Sequence, residues 1–216
     1  MKVAILSESK ADEEATRIFI DAGLGLRTEP VSLVRFELRR GWPNVLAILP
    51  VVMKHVYYRT DGDALVIAAD SNGSPMHSAE HDRNSAGDER CRLCQLQHLV
   101  AVTRRALRET AGRSAFRTAI GIAYPAIEAW YLCGRDPHAT EAAWARELAV
   151  GTQARTYILK LKQAVYGTDR PSLSMETEAA TREAQRLASN LVELEAHFPA
   201  GFGTLARDLR AWSTPN

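Results

Sequence analysis

The chain has 216 residues, enough for one sizeable α/β domain or a core domain with a helical extension. With 46% hydrophobic and 25% charged residues it reads as a globular chain, not a disordered one. A net charge of +1 argues against a protein that coats DNA through bulk charge, while leaving room for a local basic stripe.

In chain order, "KVAIL" (2–6) predicts a buried strand, and the apolar run is too short for a signal peptide. Ala15, Ile18, Phe19 and Ala22 fall at helical spacing and predict a helix over 11–23, ended by Gly23. "VSLVRFE" (31–37) predicts a second strand. The next helix begins near Trp42-Pro43, and Pro50 is expected to kink or split it. "DALVIAA" (63–69) predicts the third strand. Residues 71–88 read as a polar loop with Gly, Pro and Ser, long enough to suggest function or mobility. A helix over 89–110, a fourth strand "RTAIGIA" (117–123) and a helix "AIEAWYL" (126–132) follow. Beyond residue 138 every apolar repeat is helical, over 141–150, 153–166, 176–197 and 202–211. No stretch approaches 18 apolar residues, and three cysteines suit a reducing compartment, so a cytoplasmic protein without membrane contact is expected.

Strands alternating with helices predict a parallel, Rossmann-like α/β sheet domain over 1–135, with a helical C-terminal extension over 136–216 packed on it. In such sheets ligands gather at the carboxyl ends of the strands. Glu8 and Asp12 follow the first strand, Asp70 the third, and Glu128 the fourth. Each has an ordinary reading. Asp12 suits the dipole of a helix start, Asp70 a turn cap, and Glu128 a solvated first-turn position. Together they converge on one edge. Clustered carboxylates repel unless a cation or proton compensates, and oxygen-only sets favour Mg²⁺ or Mn²⁺.

Several stretches resemble known proteins. "SESKAD" has the Glu-x-x-x-Asp spacing found after the first strand of TOPRIM domains, including those of OLD-type nucleases. "AADSN" looks like the TOPRIM Asp-x-Asp, with Asn72 in place of the second acid. "GIAYPAIEAWYLCG" is similar to the signature of a TOPRIM-like family of unknown function, and "YILKLKQAVYG" and "HFPAGFGTLARDL" resemble its C-terminal half. The resemblance implies a TOPRIM-like domain in which Glu8 is a general acid/base, Asp70 holds the metal, and Asp12 and Glu128 support it. It implies catalysis through Glu8, Asp70 and Glu128, in bacterial antiphage defence or DNA processing, often beside an ATPase. Asn72 can still ligate through its amide oxygen but removes one negative charge.

Other signals are weaker. Cys91-x-x-Cys94 with His77, His81 and His98 can bind Zn²⁺ tetrahedrally. The cysteines fall in an expected helix and no second pair exists, so buried, incidental cysteines are expected, and no structural zinc. Arg104, Arg105, Arg108, Arg113 and Arg117 crowd one segment. They read either as a solvated helix face or as phosphate contacts. Lys10, Lys160 and Lys162 join the candidate nucleic-acid contacts. "AGLGLR" follows a helix, which disfavours a dinucleotide fingerprint, and no P-loop is present, so ATP-driven work requires a partner. Two functions follow as expectations: a Mg²⁺- or Mn²⁺-dependent nuclease, or a binding or regulatory subunit that keeps the fold without turnover. Oligomeric state is left open.

Overall fold

The computed structural model describes residues 1–33, 36, 41–83, 87–110 and 116–213. Four strands, β1 (Lys2–Leu6), β2 (Glu29–Pro30), β3 (Ala64–Asp70) and β4 (Arg117–Ala123), form one sheet in the order β2-β1-β3-β4. All pairings are parallel, with Val3 opposite Ala64 and Asp70 opposite Ala123. A parallel sheet is buried on both faces, which is why β1 and β3 are near-continuous apolar runs.

Alternate residues of each strand enter two separate cores. Val3, Ile5, Ala64, Val66, Ala119 and Ala123 face one core, shared with α1 (Lys10–Leu24), α8 (Leu173–Ala188) and α10 (Phe202–Ser213). Ala4, Leu6, Leu65, Ile67, Ile120 and Ile122 face the other, with α2 (Trp42–Arg59) and α4 (Arg92–Arg105). Short helices α3 (Ala79–Arg83), α5 (Glu128–Tyr131), α6 (Glu141–Ala149) and α9 (Leu191–His197), with α7 (Ala154–Tyr166), complete the described elements.

The C-terminal helices reach the sheet because β4 is small-faced. A methyl on Gly121 would come within 3.2 Å of Leu205 on α10. One on Gly201, in the turn before α10, would lie 1.9 Å from the Ile122 carbonyl. That turn is clamped by Glu141, whose buried carboxylate accepts from the Ala200 and Gly201 N–H groups at 2.8 and 2.7 Å. Burial pushes this carboxyl up to about 7.

Several expectations shift. The second strand pairs at Glu29–Pro30, not over 31–37; residues 31–33 lie outside any strand, and 34, 35 and 37 lie outside the described residues. Pro30 lacks an N–H and sits at the sheet edge, where no ladder bond is lost. Pro50 neither splits nor ends α2, which runs unbroken to Arg59. The loop over 71–88 contains the short helix α3, and the expected 89–110 helix is confined to Arg92–Arg105. The expected 176–197 helix breaks at Ser189-Asn190, where the Asn190 side chain caps α9 by accepting from the Glu193 N–H. Among the described residues no helix is long and apolar enough to cross a membrane.

Candidate functional site

The carboxyl edge of the sheet is built by three chain reversals. After β1, Ser9 caps α1, its hydroxyl accepting the Asp12 N–H at 3.1 Å, which puts Asp12 in the first helical turn. After β3, Ser71 is tied back to β4, its N–H donating to the Ala123 carbonyl at 2.7 Å. After β4, the chain enters α5, where Trp130 packs edge-on against Phe19 and Phe202 in the core. That buried anchor holds its neighbour Glu128, which is only 4% exposed.

These reversals bring Glu8, Asp12, Asp70 and Glu128 into one electrostatic cluster. The Asp70 N–H donates to Glu8 Oε1 at 3.0 Å, and the Asp70 carboxylate accepts the Ile127 N–H at 2.9 Å. Burial, and then the charges of Asp12, Glu128 and Glu8, hold the Asp70 carboxyl well above its usual range. The same causes, burial foremost, push Asp12 up to about 7. Burial also raises Glu8 and Glu128. A cavity of about 10 Å³ between Asp12, Asp70, Ala123, Ile127 and Trp130 has room for about one water or small ion.

Residues that the sequence did not single out for this edge line it as well. Arg92, at the start of α4, donates to the Asp70 carbonyl, pairs with Glu8 at 3.5 Å and stacks over Trp42. From α7, Lys162 approaches Glu128 at 3.5 Å and Glu176 of α8 at 3.4 Å, and the Tyr166 hydroxyl donates to Glu128 at 3.2 Å. No local spacing marks these groups, because they come from helices remote in the chain. Among the described residues, five carboxylates thus face two cations, Arg92 and Lys162. Glu128 Oε2, the Tyr131 hydroxyl and Trp130 Nε1 are buried at this cluster with no hydrogen-bond partner among the described residues. The Tyr131 hydroxyl is raised by burial and then by the charges of Asp12 and Glu128, which places it against the same cluster.

The remaining candidates lie elsewhere or differently. Asn72 is exposed in a left-handed turn (φ 46°), a conformation asparagine tolerates, with its N–H bonded to the Pro125 carbonyl at 2.9 Å. Lys10 pairs with Glu13 and Glu14 at 3.4 and 3.1 Å and lines, beside Glu8, a cleft of about 510 Å³ toward residues 30–33. Lys160 is exposed on α7. Arg104, bonded to Thr118 at the start of β4, lies with the exposed Arg105 and Arg108 at the opposite edge of the sheet. At about 3.3 Å per strand residue, that edge is roughly 17 Å from the acids. Arg113 lies outside the described residues.

Among the described residues, the group of three or more metal-ligating side chains placed to hold an ion is not the acid cluster but His77, His81, Cys91 and Cys94, whose ligand atoms lie within 4.8 Å of one another. His98 is exposed on α4 and stays apart from it. Comparison of the chain with family models, with curated proteins and with solved structures yields no match.

Proposed function

We propose that this chain is a TOPRIM-like, Mg²⁺- or Mn²⁺-dependent enzyme that cleaves phosphodiesters of nucleic acid. The observation that carries the reading is the surplus of buried carboxylate at the strand ends, with Glu128 Oε2 and the Tyr131 hydroxyl unpartnered beside it. All-oxygen donors suit a hard cation. The absence of a tight carboxylate shell is compatible with Mg²⁺, which keeps several waters and uses only one or two carboxylates directly. Asp70 and Asp12 would hold the ion, with Glu128 supporting it. When bound, it supplies neutralisation of the charge that develops on the phosphate.

The chain's own groups divide the remaining work. Glu8 sits between the cluster and the open cleft, and burial raises its carboxyl above the usual range, which suits a group that carries and releases a proton. Arg92 orients Glu8 and balances part of the charge. Lys10, lining the cleft beside Glu8, and the exposed Lys160 of α7 would contact a phosphate backbone; Arg104, Arg105 and Arg108 reach only flanking nucleic acid or a partner. A setting in defence or DNA processing beside an ATPase belongs to the same proposal and rests on the resemblance alone; the cytoplasm rests on the three cysteines and the lack of a long apolar stretch.

One observation favours a second reading, a binding or regulatory subunit without turnover. Asn72, the position that departs from Asp-x-Asp, is neutral and turned out to solvent. Single- and double-stranded DNA and RNA incubated with the protein and Mn²⁺ separate the two. The enzyme reading expects metal-dependent cleavage that Asp70→Ala abolishes. Inactivity on every substrate, with the partner present, leaves the subunit reading.

A further inference from the structure

We infer that His77, His81, Cys91 and Cys94 bind a structural Zn²⁺ ion. The sequence favoured incidental cysteines here, and the geometry points the other way. Cys91 caps α4 and Cys94 lies in its first turn, while His77 and His81 come from the preceding loop and α3. Their four ligand atoms all lie within 4.8 Å of one another. Cys94 Sγ is 3.4 Å from His77 Nδ1 and 3.7 Å from His81 Nδ1, and Cys91 Sγ is 3.8 Å from His77 Nδ1. Zinc bonds of about 2.3 Å to sulfur and 2.0–2.1 Å to nitrogen, held tetrahedrally, set sulfur and nitrogen about 3.6 Å apart. These three sulfur–nitrogen separations bracket that value.

Ordinary hydrogen bonding accounts poorly for the same contacts. A neutral imidazole has one lone pair, and two thiols converge on His77 Nδ1. The outward ring nitrogens meet carboxylates: His77 Nε2 is 3.0 Å from Asp82 Oδ1, and His81 Nε2 faces Asp88 Oδ2 at 3.8 Å. A carboxylate on Nε2 fixes the proton there and leaves Nδ1 free to ligate, the usual support of a metal-bound histidine. The cluster is sheltered, with Cys91 fully buried and Gly87 passing so close that a methyl there would lie 3.2 Å from Cys94 Sγ. Two cysteines and two histidines complete a tetrahedron, so no position stays open for a reacting water. The ion therefore ties the loop after Asp70 to the start of α4. Arg92, next to Cys91, is thereby held on Asp70 and Glu8.

The test is metal analysis of the full chain purified under thiol reductant without chelator. About one zinc per chain is expected, retained in His98→Ala and lost in Cys91→Ser/Cys94→Ser. Asp82→Asn, an exposed change, should weaken zinc retention against a competing chelator by roughly 10–100-fold. Should the double serine variant fail to fold, protein grown with cobalt(II) in place of zinc carries the test. A thiolate-to-cobalt charge-transfer band is then expected. Wild-type protein with no stoichiometric zinc, no such cobalt band, and Cys91 and Cys94 alkylating as free thiols overturns the assignment. This outcome is independent of any cleavage assay.

Discussion

Replacing Asp12 with asparagine removes one charge from the acid cluster while keeping the side chain's size and the Ser9 cap to its N–H. Asp12 is raised from 3.8 to about 7, chiefly by burial and then by the neighbouring Glu128 and Glu8 charges. The folded chain therefore keeps a proton that the unfolded chain releases. The stability tied to that proton is fully present below about pH 4 and is lost as pH rises through about 7. Roughly three pKa units correspond to about 4 kcal/mol, shared with the coupled acids. Asp12→Asn should accordingly be more stable than wild type at pH 8 by up to about 4 kcal/mol, with the difference vanishing near pH 4. Urea denaturation at both pH values, in buffer free of Mg²⁺ and Mn²⁺ but without chelator so that the His–Cys site keeps its ion, measures this. Adding Mn²⁺ at pH 8 should stabilise wild type more than the variant. A variant that loses the same stability at both pH values would refute the reasoning.

Asp70→Ala should abolish Mn²⁺ binding and cleavage together, whereas Glu8→Gln should keep most of the binding and lose turnover; calorimetry beside a cleavage assay distinguishes them. Asn72→Asp should tighten Mn²⁺ by restoring a charge in a turn that aspartate also tolerates, and an unchanged affinity would remove Asn72 from the site. Trp130→Ala should cost about 3–5 kcal/mol of stability, read by urea denaturation, because it empties the contacts with Phe19 and Phe202. It should also weaken Mn²⁺ binding, since Glu128 loses its anchor.

The acids were legible because a strand's end is written in the chain: the apolar run of residues 64–69 stops at Asp70, and in a parallel sheet such ends share one edge. Glu128 was legible for the same reason, following closely after the end of β4 at Ala123. What closes around them was not. Arg92, Lys162, Tyr166 and Glu176 arrive from helices far along the chain, and tertiary packing alone decides which face each presents. The His–Cys group was visible as residue types, yet its convergence depends on how a loop without periodicity folds back onto α4. β2 was misplaced because the apolar alternation of 31–37 outweighed a two-residue edge pairing at Glu29–Pro30. The break between α8 and α9 hangs on one capping side chain, Asn190, within an otherwise continuous helical pattern.

The central claim is that the strand-end carboxylates hold a hard divalent cation, and anomalous diffraction from crystals soaked in Mn²⁺ tests it most directly. Data on either side of the manganese edge separate that ion from zinc. The account predicts a manganese peak bounded by Asp12, Asp70 and Glu128, absent in Asp70→Ala crystals. Manganese density found nowhere at this edge, with anomalous signal confined to His77, His81, Cys91 and Cys94, would contradict it.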